Sequence, residues 1–248
     1  MSKSSAPIRS YITTSWDDGH PMDMRVAELL AKYRLQGTFY IPRKCETTVI
    51  DPAAMRELGA SFEVGAHTMN HVILAHSPPE VVEREVRQSK AWIEDVTGVA
   101  CKVFCPPQGR FKRRDMEIVE RAGFDGMRTT ELLSLAPPRR KRAFSVIPTT
   151  VQTQQHELQL YARNLVKRAA FRNAWRFVKS GSNSDWVALS RFCLNLAVRE
   201  GGVFHLWGHS WEIQKNEQWR RLELVLQALS EAASSSKPVT NGQLCEFV

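Results

Sequence analysis

Short apolar runs rich in β-branched and aromatic residues alternate along the chain with stretches whose apolar positions return every three or four residues. That rhythm predicts βα units stacked into a parallel sheet or barrel. Tyr11–Trp16 reads as the first strand, and Val26, Leu29, Leu30 and Tyr33 then fall at i, i+3, i+4 and i+7, one face of a helix. Gly37–Ile41 predicts a second strand, Asp51–Leu58 a short helix opened by Asp-Pro, and Phe62–Ala66 a third strand running into His67. A long helix is expected over Pro79–Val96, begun by Pro-Glu and stopped at Thr97-Gly98. Lys102–Cys105 and Phe124–Arg128 read as strands flanking a helix over Arg113–Ala122. Beyond Pro137 the rhythm loosens: helices are expected around Leu158–Lys179 and Asp185–Glu200, then an apolar strand Val203–Trp207, a helix carrying Leu222, Val225, Leu226 and Leu229, and a short strand within Val239–Val248. No internal repeat is visible, and the expectation is one α/β domain over residues 1–248.

Polar chemistry gathers where these runs end. Asp17 and Asp18 close the first strand ahead of Gly19, and His67 and His71 follow the third. Carboxylates at a strand's C-terminal end offer one oxygen ligand and one spare base where barrel active sites lie. Histidines four apart place both rings on one side of a helical turn, within reach of one ion. One Asp and two His leave coordination positions open for water and substrate. The plainer readings are a turn for Asp-Asp-Gly and a solvated helix face for the histidines.

Four motifs in order, Trp16-Asp17-Asp18-Gly19, His67-Thr68-Met69-Asn70-His71, Phe104-Cys105-Pro106-Pro107-Gln108-Gly109 and Leu206-Trp207-Gly208-His209, make the chain resemble polysaccharide deacetylases of carbohydrate esterase family 4. The resemblance implies a distorted, incomplete (β/α) barrel and a metal-dependent hydrolase removing acetyl, occasionally formyl, groups from amino sugars. It makes Asp18, His67 and His71 the metal ligands, Asp17 the general base and His209 the general acid that protonates the leaving amine. A backbone N–H of the Pro107-Gln108-Gly109 loop would hold the oxyanion with the ion. Such a ligand set suits zinc, with cobalt, nickel, manganese or iron as alternatives. His205 shares the side of its strand with Trp207 and His209, as a rival acid, a supporting partner or a buried histidine. Trp207 and Trp211, with Glu212, are candidate walls of a sugar-binding cleft, and His20 stands near enough to Asp18 to line it.

Two positions depart from the family pattern. Cys105 replaces an arginine that would orient the base carboxylate, and Arg128 or Arg110 can supply that charge from elsewhere. Gln108 stands where tyrosine is common, which a backbone contact tolerates. Cys105 also admits reading as a nucleophile, against the commoner role of a packed thiol. His76 and His156 read as structural.

Apolar residues make up 43% of the 248 and are spread evenly, enough for a substantial core. The five cysteines form no CxxC pair, which suits free thiols. The leading residues lack the apolar core of a secretory signal and no apolar stretch approaches ~20 residues, so a cytoplasmic location is the expectation.

The net charge of +8 is uneven. Leu132–Ser184 holds ten Lys/Arg against the single acid Glu157, while the other 24 basic and 25 acidic residues nearly cancel. Within it, Arg139–Arg142 cluster, and Arg168, Arg172, Arg176 and Lys179 form one helical stripe beside another of Phe171, Trp175 and Val178. The plain reading is a solvated basic face over a packed apolar one. The sharper reading is attraction of an anionic glycan carrier, a nucleotide-linked sugar or a membrane surface. No motif supports specific nucleic-acid binding, although a nucleic-acid binder, a cyclic ureide or imide hydrolase on the same fold, and a catalytically degenerate sugar binder are the competing functions.

Overall fold

The computed structural model describes residues 10–156, 159, 164, 171–181 and 184–247. Its sheet elements are β1 (Ser10–Asp17), β2 (Thr38–Ile41), β3 (Glu63–Ala66), β4 (Val103–Phe104), β5 (Gly126–Arg128), β6 (Arg139–Lys141), β7 (Phe144–Ile147), β8 (Val151–Gln152), β9 (Gly202–Gly208) and β10 (Ser236–Pro238). Helices α1 (Asp23–Lys32), α2 (Pro52–Gly59), α3 (Pro79–Thr97), α4 (Arg113–Arg121), α5 (Phe171–Lys179), α6 (Trp186–Glu200), α7 (Ser210–Lys215), α8 (Trp219–Ala232) and α9 (Asn241–Glu246) fill the connections. One sheet runs β6-β7-β5-β4-β3-β2-β1-β9-β8, with β10 on β1, and only β6–β7 is antiparallel. The path has two ends, as expected of an incomplete (β/α) barrel, and the four motifs stand at the C-terminal ends of β1, β3, β4 and β9, with Arg128 at that of β5.

Local chemistry sets the boundaries. The Asp51 carboxylate caps α2 by accepting from the N–H groups of Ala53 and Ala54, both at 2.9 Å. Gly98 ends α3 in the left-handed conformation, φ 70°, its N–H bonded to Glu94 O at 2.9 Å. Leu222, Val225, Leu226 and Leu229 are all buried, as their spacing requires.

β1 is buried along nearly its whole length, so its hydroxyls need internal partners. Thr13 Oγ1 donates to Asn241 Oδ1 and Thr14 Oγ1 to Gln36 O, each at 3.0 Å. His205, opposite Thr13 on β9, has both ring nitrogens occupied: Nδ1 meets Pro148 O at 3.0 Å and Nε2 meets Ser15 Oγ at 2.9 Å. The carbonyl fixes the proton on Nδ1, so Nε2 accepts from the serine. Burial, then the nearby Arg128 charge, push its pKa down to about 3. This histidine ties strands together and is not a rival acid.

Four expectations change. No helix carries His67 and His71; Thr68 and His71 take positive φ values of 63° and 54°, in an irregular loop. Three short strands, β6, β7 and β8, occupy 139–152, where the rhythm predicted none. The closing segment is α9, capped by the Thr240–Gln243 box, and the strand lies earlier, at β10. On α5 the apolar and basic stripes do not divide as predicted: Trp175 and Val178 are exposed, while Arg176 Nη1 turns inward to Leu133 O at 3.1 Å and Asn173 Oδ1 at 2.8 Å. Arg172 is exposed, and Arg163, Lys167 and Arg168 lie outside the described residues. Arg139, Arg140 and Lys141 form the exposed edge strand β6, with Arg139 paired to Glu131 at 2.9 Å. Among the described residues no helix is long and apolar enough to cross a membrane.

Two outcomes test this packing. A Cβ on Gly65 would lie 2.6 Å from the Tyr40 ring and 3.0 Å from Val103 O, so Gly65→Ala is expected to cost roughly 1–3 kcal/mol in urea unfolding. His205 stays neutral when folded but takes a proton below about 6.5 when unfolded. Its contribution is therefore complete above that pH and declines on acidification by about 1.4 kcal/mol per unit until the folded pKa is reached. Unfolding free energies of His205→Gln should lack that component of the acid slope.

Candidate metal centre and active site

A cavity of about 320 Å³ opens at the strand ends, with Asp17, Asp18, His67, His71, Trp207 and His209 among its walls. Asp18 and Gly19 both take positive φ, 78° and 62°, and a Cβ on Gly19 would come within 2.7 Å of the Ile41 side chain. Asp-Asp-Gly is thus a turn and a functional element at once: the left-handed step presents both carboxylates at the rim.

Asp18 is buried. Its Oδ2 accepts from Trp211 Nε1 at 2.9 Å, whereas Oδ1 has no hydrogen-bond donor among the described residues. His67 Nε2 and His71 Nε2 face that oxygen from 3.5 and 3.4 Å. Both rings commit their other nitrogen outward: His67 Nδ1 to Cys105 O and His71 Nδ1 to Glu46 Oε2, each at 2.7 Å. A carbonyl and a carboxylate can only accept, so both Nδ1 atoms carry a proton and both Nε2 atoms are left turned toward Asp18. Two ring nitrogens converging on an anionic oxygen call for positive charge between them, which a proton or a cation can supply. The donor set, two imidazole nitrogens and one carboxylate oxygen, fits a divalent cation.

The electrostatics favour positive charge at the same point. Burial alone would raise the Asp18 pKa, but His67 and His71 overcome it and hold the carboxyl well below the usual range. Burial opposes charge on His71 too, yet Asp18 and Cys45 push it up to about 11.

Glu85, invisible in the motif reading, shapes the histidine loop. Buried on α3, it accepts from Met69 N–H at 3.0 Å, Asn70 N–H at 2.9 Å and Asn70 Nδ2 at 2.7 Å. A glutamate three residues past Val82 on the apolar face of a helix is the signal that marks it.

Asp17 is supported from β5. Arg128 Nη2 donates to Asp17 Oδ1 in a short, charge-assisted bond, and Cys105 Sγ stands 3.9 Å from Oδ2. Arg128 is fully buried, its guanidinium 4.6 Å from the Trp207 ring centre and 5.4 Å from that of Tyr40. Desolvation weakens its charge, but Asp17 more than restores it. Of the two arginines that the sequence offers to Asp17, Arg128 is the one that reaches it. Arg110 is exposed beyond the loop and does not line the cavity. Burial raises the Cys105 thiol well above its ordinary pKa, which removes it as a nucleophile.

His209 precedes α7 and bonds Glu212 Oε2 through Nδ1 at 2.7 Å, leaving Nε2 3.9 Å from Asp18 Oδ2. Burial lowers its pKa, but Glu212, Asp17 and Asp18 together bring it up to about 9. Trp207 and Trp211 flank its ring at 5.9 and 5.5 Å. His20 does not line the cavity; its Nδ1 accepts from Met22 N–H at 3.1 Å where the chain enters α1.

The loop after β4 turns through Gln108 and Gly109 at φ 55° and 62°. A Cβ on Gly109 would sit 2.3 Å from Thr130 Oγ1. Pro107 has no N–H and that of Gly109 donates to Pro106 O at 2.9 Å, which leaves the Gln108 N–H without an acceptor among the described residues.

Residues 5–127 match the family model for polysaccharide deacetylases. No curated protein matches the chain. Among solved structures, a candidate polysaccharide deacetylase from Mycobacterium smegmatis is similar at 14% identity and TM-score 0.71, over 98% of this chain and 91% of the other. A family 4 acetyl xylan esterase from Clostridium thermocellum, in complex with a cobalt ion, is 16% identical at TM-score 0.57, over 96% and 91%. A family 4 pseudoenzyme from Bacillus anthracis is 14% identical at TM-score 0.56, over 97% and 66%. At these identities the structural likeness is one of fold. The family match over the Asp17–Asp18 and His67–His71 segments and the shared curled half-barrel sheet agree: this chain belongs to the polysaccharide deacetylase family.

Proposed function

We propose that the chain, as one catalytic domain, is a metal-dependent hydrolase that removes an N-acyl group, acetyl in the first instance, from an amino sugar. The observation that carries this reading is Asp18 Oδ1, a buried carboxylate oxygen without a hydrogen-bond donor among the described residues, faced by Nε2 of two imidazoles and adjoining a second carboxylate held by Arg128. Asp18, His67 and His71 would hold the ion. Zinc suits them, and cobalt, nickel, manganese and iron are compatible. When bound, the ion supplies Lewis-acid charge at the scissile carbonyl and the attacking water.

The chain's own residues do the rest. Asp17 takes the proton of the attacking water. Arg128 pins Oδ1 and so fixes the direction of Oδ2, a task otherwise assigned to an arginine at position 105. The Gln108 N–H offers a fixed donor where negative charge develops on the carbonyl oxygen. An amine leaves only once protonated, and His209 gives it that proton from Nε2 while Glu212 holds Nδ1. Trp211, anchored by Asp18, and Trp207 present ring surface to a sugar.

The specific competitor is an inactive sugar binder, suggested by Cys105 and by the pseudoenzyme among the structural neighbours. The pairing of Asp17 with Arg128 argues against it. Purified protein should contain one divalent ion at the Asp18 centre and release amine from N-acetylated amino-sugar oligomers. Asp17→Asn should lower kcat by roughly a hundredfold or more. Arg128→Lys should lower kcat far more than it raises KM, since it alters the aim of the base and not the sugar contacts. Absence of amine release from the wild type with metal present would establish the binder instead.

A pH profile tests the acid. Because Glu212 helps keep His209 protonated, Glu212→Gln should move the alkaline limb of kcat/KM toward neutrality, on the order of one pH unit.

A further inference from the structure

Three sets of metal-ligating side chains gather among the described residues, and two of them differ in kind from the Asp18 centre. Asp17, His67 and Cys105 form one, but Asp17 is committed to Arg128 and Cys105 is a buried neutral thiol. Cys45, Glu46 and His71 form the other, at the solvent side of the cavity. Cys45 is the one cysteine of the five that is not buried, and the Glu46 side chain is 79% exposed.

The geometry of this second set is convergent. Glu46 Oε2 accepts from His71 Nδ1–H at 2.7 Å and from the Cys45 thiol at 3.2 Å, so an imidazole, a thiol and a carboxylate meet at one point. One ligand atom from each lies within 4.8 Å of the others. A tetrahedral cation with bonds of ~2.0–2.3 Å holds its ligand atoms roughly 3.3–3.8 Å apart. Seating one here therefore needs only small outward rotations, and two of the three side chains stand at the surface. The backbone is already tied to the histidine loop, since Lys44 N–H donates to Met69 O at 2.9 Å. Thiolate with imidazole and carboxylate selects a borderline or soft cation over magnesium or calcium. Binding would release two protons, one from Sγ and one from His71 Nδ1, the two that now rest on Glu46.

We propose that Cys45, Glu46 and Nδ1 of His71 form a second divalent-cation site at the mouth of the cavity, of zinc or cobalt type, sharing the His71 ring with the Asp18 centre. The shared ring couples the two: a cation at Nδ1 withdraws electron density from the Nε2 lone pair, and two dications repel. The second site therefore fills only after the first, at higher metal concentration. The order of filling rests on the metal-dependent reading given above; the existence of the second site does not.

Titration of metal-free full-length protein with cobalt and with zinc tests this. The wild type should take up two equivalents of zinc, and cobalt should produce a thiolate-to-metal charge-transfer band in the near ultraviolet as the second equivalent binds. Cys45→Ser should lose the band and one equivalent. Glu46→Gln should weaken the second equivalent while the band still forms at saturation. His67→Ala should lose the first equivalent and keep the band, which separates failure of the Asp18 centre from failure of this site. Uptake of a single equivalent without a band, or a band that survives Cys45→Ser and vanishes in Cys105→Ala, would overturn the proposal.

Discussion

Two adjacent carboxylates are buried at the end of one strand, and the surrounding structure answers the cost of keeping two negative charges away from water. Asp17 is answered fully, by an arginine that is itself buried between two aromatic rings. Asp18 is answered in part, by one indole N–H on one oxygen. Its other oxygen faces Nε2 of two histidines and has no hydrogen-bond donor among the described residues, so the region calls for positive charge at one point and is balanced at the next. That asymmetry distinguishes two chemically identical side chains: one is left facing two imidazoles, the other is held in a fixed orientation by a guanidinium. Removing a partner from a buried pair of this kind typically costs ~3–5 kcal/mol, which ties the integrity of the fold to the apparatus of the site.

The supports arrive from several strands around the rim. Arg128 comes from β5, the carbonyl that orients His67 from the residue after β4, the glutamate that orients His71 from the loop after β2, and Trp211 from the helix after β9. The histidine loop itself hangs from Glu85 on α3. An incomplete barrel allows this, because parallel strands bring their C-terminal ends to one side and each following loop contributes a single group. The reach of Arg128 to Asp17, with a cysteine at position 105, shows the same freedom. A guanidinium reaching Asp17 from the neighbouring strand end keeps the contact, although the local motif no longer announces it.

Much of this was legible in the residues and some was not, for separable reasons. Strands β1, β3 and β9 could be read because they are short runs of β-branched, aromatic and small residues that end in polar motifs, and α8 because its leucines keep one face. The pairing of Asp17 with Asp18, and of His67 with His71, was visible as spacing. The mechanism that brings the histidines together was not: positive φ at Thr68 and His71, enforced by three hydrogen bonds to a distant glutamate, replaces the helical turn that the gap of four suggests. Arg128 and Arg110 could not be ranked from sequence, since which one reaches Asp17 depends on strand order. The strands between 139 and 152 were hidden because an edge strand of Arg-Arg-Lys carries no apolar alternation. On α5 the mistaken element was the assumption that aromatic residues face inward, when Asn173 and Arg176 instead satisfy the carbonyls of Leu132 and Leu133.

That edge strand bears on the basic character of the molecule. A sheet that curls without closing leaves unpaired backbone at its ends, open to a strand from another copy. β6 lines one such end with three exposed cationic side chains, and any identical edge approaching it would bring three more. Self-repulsion at close range follows from the edge position of these residues, without a ligand, a carrier or a membrane. A part of the charge excess between Leu132 and Ser184 thus lies along a sheet edge, where like charges oppose pairing with an identical edge.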